Sequence, residues 1–385
     1  MRSSNSTSHS TVLSRLPEWF GNLLGSSTGS ARARQHDPTA IDVAVVAAVE
    51  QEDTTPVTIH NNKAVESVVD EMLSQSRYAL LLRPQLIGNL SPEQLARTRA
   101  ALADNMCLVP EGQVIVRKTY GDQSGEREAV DGPLLRLEAF YLDRYPVTNG
   151  QYHHFVSSGG YEQMSIWDSE IWPALLDFVD STGQPGPRFW RNGHFTRGED
   201  HHPVVGVSWY EAVAYARWVG KRLPSDAEWV KAGSWPVSIP GHPLMLRRYP
   251  WGEAMDRSRA NLWGSGPGRT VSVYEFPNGV SVGGVHQLIG NVWEWTVDAF
   301  AFPGGDADGT QNKMKSLRGG AFDTYLDCQA TCHFQSADVA LSRKHNLGFR
   351  CAINLGDLAS RRGDSDDESS VPVDSSETSF AENQS

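Results

Sequence analysis

The stretch Gln287–Asp298 reads QLIGNVWEWTVD and constrains the fold more than any other part of the chain. Val292, Glu294 and Thr296 alternate with Trp293, Trp295 and Val297, the period of a β-strand. Two tryptophans on one face require a core to receive them. On a regular strand Asn291 and Glu294 lie on opposite faces. A bend at Gly290–Asn291 would instead let their oxygens converge with backbone carbonyls, the all-oxygen set that a hard cation such as Ca2+ takes. The same spacing also suits a buried tryptophan strand with one hydrogen-bonded asparagine.

A chain of 385 residues with 39% hydrophobic residues and 12 Trp can build a large core. Its formal net charge is −12, and half of that sits from Asp357 onward, where eight acidic residues face only Arg361 and Arg362. The remaining body is mildly acidic, so nucleic acid is not an expected partner. No apolar run reaches the length of a membrane span. Four cysteines are too few for a disulfide scaffold and point to a reducing compartment, with a cytoplasmic location as the expectation.

Composition divides the chain. Residues 1–62 are Ser/Thr-rich and read as a disordered segment. An arginine-bearing start weakly like an organelle transit peptide lies within it, as does an amphipathic patch at Val12–Leu24 that Pro17 and Gly21 interrupt. Residues 63–104 read as a short element of two helices, one over Ala64–Leu82 and one opened by Ser91-Pro92-Glu93-Gln94. Residues 105–355 form a Gly- and Trp-rich body, and 356–385 an acidic disordered tail. Three further Ser/Thr-x-x-Glu/Gln boxes start helices inside the body, at Thr148–Gln151, Ser208–Glu211 and Ser225–Glu228. The first of these should end near Gly159–Gly160 and the second at Gly220. The rest is loop-rich β structure, an α+β chain with little regular secondary structure.

Eight landmarks follow in order: MCLVPEG at Met106–Gly112, FYLDRYPVTNGQYHHFV at Phe140–Val156, and HPVVGVSWYEAVAYARWVGKRLPSDAEWVKA at His202–Ala232. Next come RYPWG at Arg248–Gly252, ANLW at Ala260–Trp263, IGNVWEWTVD at Ile289–Asp298, LRGGAF at Leu317–Phe322 and NLGFRCA at Asn346–Ala352. In that order they resemble the formylglycine-generating enzyme family, the sulfatase-modifying factors, over roughly residues 105–353. The resemblance implies an irregular variant of the C-type lectin fold. Relatives on this fold oxidise a sulfatase cysteine to formylglycine with O2 and copper(I) held by two cysteines, make sulfoxides of histidine betaines with iron, or only bind ligands. The fold alone does not choose among these.

The resemblance places the copper site after Arg-Gly-Gly, where a serine and two cysteines belong. Here Ala321 takes the place of the serine, and Asp323 or Thr324 that of the first cysteine. Cys328 matches the second cysteine across a one-residue gap. Cys332 and Cys351 match family cysteines that are structural in animal enzymes, but their partner positions hold Ala232 and Ala216, so both are expected as free thiols. Cys328 and Cys332, four residues apart, form a substitute copper pair if the chain turns between them; otherwise both are ordinary half-buried cysteines. These two are the candidate catalytic residues.

The family's calcium sites map onto Asn261 with the Leu262 carbonyl, and onto Asn291 with Glu294, Asp298 being a possible further ligand of the second. The loop Gly264–Thr270 lacks the acid expected at the first. Trp293, Arg318 and Arg350 frame the expected substrate cleft, although an arginine in a loop-rich fold commonly ties carbonyls together. The paired histidines His153–His154 and His201–His202 lack the H-x-x-x-H-x-E helix of the sulfoxide synthases, so iron is not the expected metal. The reading is therefore an oxidoreductase acting on a cysteine of a protein or peptide through a non-standard copper site. The alternative is a module on the same fold that binds a peptide, protein or glycan without chemistry.

Overall fold

The structure is a computed structural model that describes residues 60–119, 129–130, 132–300 and 314–359. The described residues all fall within one unit. Residues 1–59 of the expected disordered segment, with its amphipathic patch, and nearly all of the acidic tail lie outside the description, while residues 60–62 open a helix. No described helix is long and apolar enough to cross a membrane.

All four capping boxes form. Helices α4 (Pro92–Asn105), α5 (Asn149–Ser157), α6 (Trp209–Trp218) and α7 (Asp226–Ser234) each begin with a Ser or Thr side chain accepting from the N3 amide, while the N3 side chain accepts from the cap amide. Two of the four orphan amides are thereby satisfied within three residues of sequence. The expected helix over Ala64–Leu82 is broken instead. It runs as α1 (His60–Ser74) and the single turns α2 (Tyr78–Leu81) and α3 (Pro84–Ile87). Ser76 at φ 61° in the left-handed region ends α1.

The helical element is not separate from the body. Tyr78, Ala79, Leu82 and Leu102 pack with Met106 and Ile353 in one buried cluster. The buried Lys221 ammonium donates to the Tyr78 hydroxyl and to Asp143, both at 2.7 Å. The tail boundary also shifts, since Ala359 donates its amide to the Leu82 carbonyl and Asp357 pairs with Arg83.

Two larger sheets carry the body, beside the two-stranded pairs β2 (Gly112–Ile115) with β5 (Leu134–Leu137) and β3 (Lys118–Thr119) with β4 (Ala129–Val130). Strands β1 (Met106–Val109), β6 (Phe140–Asp143) and β11 (Ala352–Asn354) make an antiparallel sheet with β6 central. The second sheet has the order β10 (Leu347–Phe349), β7 (Trp293–Ala299), β8 (Met314–Arg318), β9 (Ser336–Val339). Its β10–β7 pair is parallel and the other pairs are antiparallel. Strand β7 is the tryptophan stretch. Being central, it buries both faces: Trp293 and Trp295 enter the larger core with Tyr152, Trp209 and Phe349, while Glu294 and Thr296 are also wholly enclosed. Long loops complete the α+β fold.

Candidate functional site

Two buried ion pairs hold the strands behind the site. Arg350, from the end of the β10 segment, donates Nε to Glu294 Oε2 and Nη2 to Oε1, both at 2.7 Å, and Trp229 Nε1 adds a bond of 2.8 Å to Oε2. Arg350 further ties the carbonyls of Asp143 and His286 at 3.0 and 2.9 Å. Arg318, the last residue of β8, donates Nε to Asp226 at 2.8 Å, and Thr296 and Ser316 hydroxyls donate to the same oxygen. Burial raises the Asp226 carboxyl, but the Arg318 guanidinium and these donors hold it net below the usual carboxylate range.

These contacts correct the expected cleft. Arg318 and Arg350 are fully buried and Trp293 nearly so; all three are framework rather than lining. They correct the expected calcium pair as well. The chain does bend at Gly290 (φ 82°) and Asn291 (φ 66°), but the side chains part. The Asn291 amide bonds Asn261, Val271 and Gln287, whereas both Glu294 oxygens are taken by Arg350 and Trp229. Asp298 accepts from the Asp226 amide, at the start of α7. At the other position the Leu262 carbonyl already accepts from Ser265, leaving one unclaimed buried oxygen, Asn261 Oδ1. Calcium wants about six to eight oxygens with carboxylates among them. Among the described residues no three His, Cys, Asp or Glu side chains gather for a metal. These residues do not fit the ion.

The Arg-Gly-Gly turn leads to the surface. Gly319 and Gly320 take φ of 98° and 79°, and a Cβ on Gly319 would stand 2.4 Å from the Leu288 carbonyl, so only glycine passes here. The turn then closes locally, with the Ala321 amide donating to Thr324 Oγ1 at 2.8 Å. Asp323 emerges beyond it and meets the β9–β10 connection: His345 Nε2 lies 3.3 Å from Oδ2, and Asn346 Nδ2 donates to both carboxylate oxygens. Phe322 and Phe189 flank the imidazole, with ring centroids 5.7 and 6.4 Å away. Exposed Tyr325 stands edge-on to exposed Trp263, and Arg257 joins that side by bonding Asp327 and the Trp263 carbonyl. The result is a surface on which exposed Phe189, Trp263 and Tyr325 and buried Phe322 stand near an acid–imidazole pair. Asp323 was conspicuous in sequence only as a replacement; His345 gave no local signal, because its partner lies in another loop.

The two candidate cysteines separate by environment. Cys328 sits partly exposed on this surface in the turn Asp327–Gln329. Cys332 is wholly enclosed, packed where its sulfur would stand 3.0 Å from a Cβ on Gly233, and burial pushes its thiol far up. A copper(I) pair needs two thiolates facing one cavity. Cys332 meets neither condition, so the expected substitute pair does not fit, and Cys332 is a core residue rather than a catalytic one. Cys107, Cys332 and Cys351 are buried free thiols, in accord with the alanines at positions 216 and 232.

Among the described residues the other histidines do not assemble a metal set either. His153 stacks on His194 at 4.8 Å beside Trp190 and Phe195, and burial pulls its imidazole below the ordinary value. His202 Nδ1 lies 3.2 Å from Thr270 Oγ1.

Comparison with known proteins agrees with this framework. The model of the sulfatase-modifying factor enzyme 1-like domain matches residues 92–355, so it begins at α4 rather than at residue 105. The chain is 39% identical over 172 residues to a hercynine oxygenase of Mycobacterium tuberculosis, covering 42% of this chain and 38% of that protein. It is 33% identical over 285 residues to the formylglycine-generating enzyme of Streptomyces coelicolor, covering 62% of this chain and 87% of that protein. Among solved structures, PvdO from Pseudomonas aeruginosa aligns with a TM-score of 0.44 at 21% identity, over 65% of this chain and 94% of that one. The chain spans 38 to 53% of the length of the first curated relatives it matches.

Proposed function

The chain belongs to the formylglycine-generating enzyme (sulfatase-modifying factor) family, and from that premise we propose that its body is an oxidoreductase of this family acting on a cysteine of a protein or peptide. The observation that carries the proposal is the surface after Arg318-Gly-Gly. Asp323, His345, Phe322, Phe189, Trp263, Tyr325 and Cys328 stand at the place where the family resemblance puts the chemistry. Aromatic rings offer rigid contact area to a peptide, and the Asp323–His345 pair can hold or pass a proton. Cys328 is the thiol we assign to this site. Similarity to a formylglycine-generating enzyme supports a peptide substrate, and similarity to a hercynine oxygenase supports oxygen chemistry. The unbridged thiols favour a reducing, cytoplasmic setting.

A second reading, peptide, protein or glycan binding without chemistry, is favoured by one observation. The thiolate positions hold Asp323 and Thr324, and Cys332 is sealed in the core. One experiment separates the two. Reduced protein is incubated with O2, a thiol reductant and cysteine-containing peptides, once with copper(I) and once with iron(II), and the peptides are weighed by mass spectrometry. The standard C-x-P-x-R sulfatase peptide should yield little or no formylglycine. Oxidation of another cysteine peptide, lost in Cys328→Ser, supports the enzyme. Saturable binding with no change of mass supports the second reading, and neither result sinks both.

A further inference from the structure

Buried charges hold one surface loop in a fixed shape. Arg343, in the β9–β10 connection, is buried and ties three carbonyls of that loop. Its Nη1 donates to Asp177 and Val179 at 3.2 and 3.0 Å, and its Nη2 to Gly186 at 2.5 Å. Glu211 fixes the guanidinium in turn, with Oε2 at 2.9 Å from Nε and Oε1 accepting from Nη2 at 3.0 Å. Asp180 closes the same loop from within, accepting from the amides of Thr182, Gln184 and Gly193. Charge-assisted bonds of this kind set the loop before any ligand arrives. The loop and Leu341 line a pocket of about 640 Å³, within the about 300–1,000 Å³ usual for ligand clefts.

The lining says what the pocket takes. Ala174, Phe178, Val179, Phe189 and Leu341 make most of it. Phe189 and Leu341 are 52% and 48% exposed, apolar surface that a held-open wall leaves in water. Its ionisable groups are two acids, Asp177 and Asp180, and two arginines, Arg188 and Arg343, so the wall carries no net charge to select a charged group. Asp180 and Arg343 are spent on the loop. Asp177 and Arg188 are exposed, and neither side chain makes a hydrogen bond or ion pair among the described residues. The pocket is also continuous with the candidate site. The Phe189 ring that forms its wall stands edge-on to His345, the partner of Asp323, with ring centroids 6.4 Å apart.

We propose that this pocket seats a neutral apolar side chain, phenylalanine or leucine in kind, of the same peptide that brings its cysteine to the Asp323–His345 surface. The inference rests on the peptide reading of that surface and adds to it the residue that selects the peptide. Phe189 divides the two places, Phe178 and Leu341 enclose the apolar side chain, and the Arg188 guanidinium is free to donate to a peptide carbonyl.

The full chain is tested with short labelled peptides that carry one cysteine and a single phenylalanine moved through the flanking positions, against alanine at each. Fluorescence anisotropy reads affinity, and mass spectrometry reads oxidation. At one position phenylalanine or leucine should bind about tenfold tighter than alanine. Leu341→Asp, which puts a charge in the wall, and Leu341→Trp, which fills the space, should each remove that gain and leave the alanine peptide unchanged. Leu341 is half exposed, so neither variant opens the core. N-acetylphenylalanine amide, followed by saturation-transfer NMR, reads the pocket without any cysteine chemistry and should bind the wild type but not Leu341→Asp. Binding of the amide that is lost in Leu341→Asp, with no peptide oxidised, would keep the pocket and sink the enzyme reading. Peptides oxidised with no apolar preference, or a preference that survives both variants, would overturn the pocket and leave the enzyme reading standing. No binding of the amide would overturn the pocket whatever the peptides do.

Discussion

Arg350 grips Glu294 through two parallel hydrogen bonds of 2.7 Å, with both side chains sealed from solvent. The pair joins β7 to the segment after β10, and Trp229 Nε1 completes the carboxylate. Removing one partner strands a buried charge, at a cost of about 3–5 kcal/mol. Glu294→Ala and Arg350→Ala should therefore each lower the unfolding free energy from urea melts by that order. Chelating calcium should leave the wild-type melting temperature unchanged, because the pair neutralises the carboxylate internally. A fall of several degrees on adding chelator would refute this account.

Asp226 and Arg318 give a pH signature. The folded carboxyl sits below its ordinary value, so above the unfolded value of about 4 the folded state gains the full benefit of the pair. That stability is lost as pH falls from about 4 through the lower folded value. In Asp226→Asn the loss should be present at neutral pH, and the acid arm of the stability curve should flatten. Parallel acid arms in wild type and variant, from urea melts between about pH 2 and 7, would contradict the assignment.

Thiol labelling reads out the burial of the cysteines. Cys328 should react first with an alkylating reagent in the native state. Cys332 and Cys351, enclosed and with thiols pushed up by burial, should react only on unfolding. Peptide mapping by mass spectrometry checks this, and Cys332 labelling as fast as Cys328 would reopen the copper pair.

The small helical element should prove inseparable from the body. Deleting residues up to 91 removes Tyr78, Ala79 and Leu82 from the cluster with Met106 and Ile353, and takes the hydroxyl from Lys221. Losing about three buried side chains costs several kcal/mol. The truncated chain should melt far lower or aggregate, and a truncated chain as stable as the full one would show that the contacts contribute nothing.

The partly exposed pair Asp323–His345 should matter to ligands more than to folding. Exposed ion pairs contribute at most about 1 kcal/mol. Asp323→Asn should therefore leave the melting temperature within about two degrees of wild type while weakening peptide binding or turnover several-fold. Unchanged peptide affinity and turnover would remove the pair from the site.

What the sequence determined by itself was whatever physics writes within a few residues. Each capping box needs only Ser or Thr and a side chain three residues on, so all four helix starts were legible. The alternation in β7 announced the strand, and the ordered motifs announced the family. The partners of buried charges were not legible. Glu294 meets Arg350 across 56 residues and Asp226 meets Arg318 across 92. A carboxylate near a glycine turn looks the same in sequence whether a cation or a guanidinium neutralises it. Likewise, Cys328 and Cys332 differ by four positions in the chain but by solvent access in space. Only the packed structure decides these matters, because burial and long-range pairing follow from how loops from distant segments close on one another.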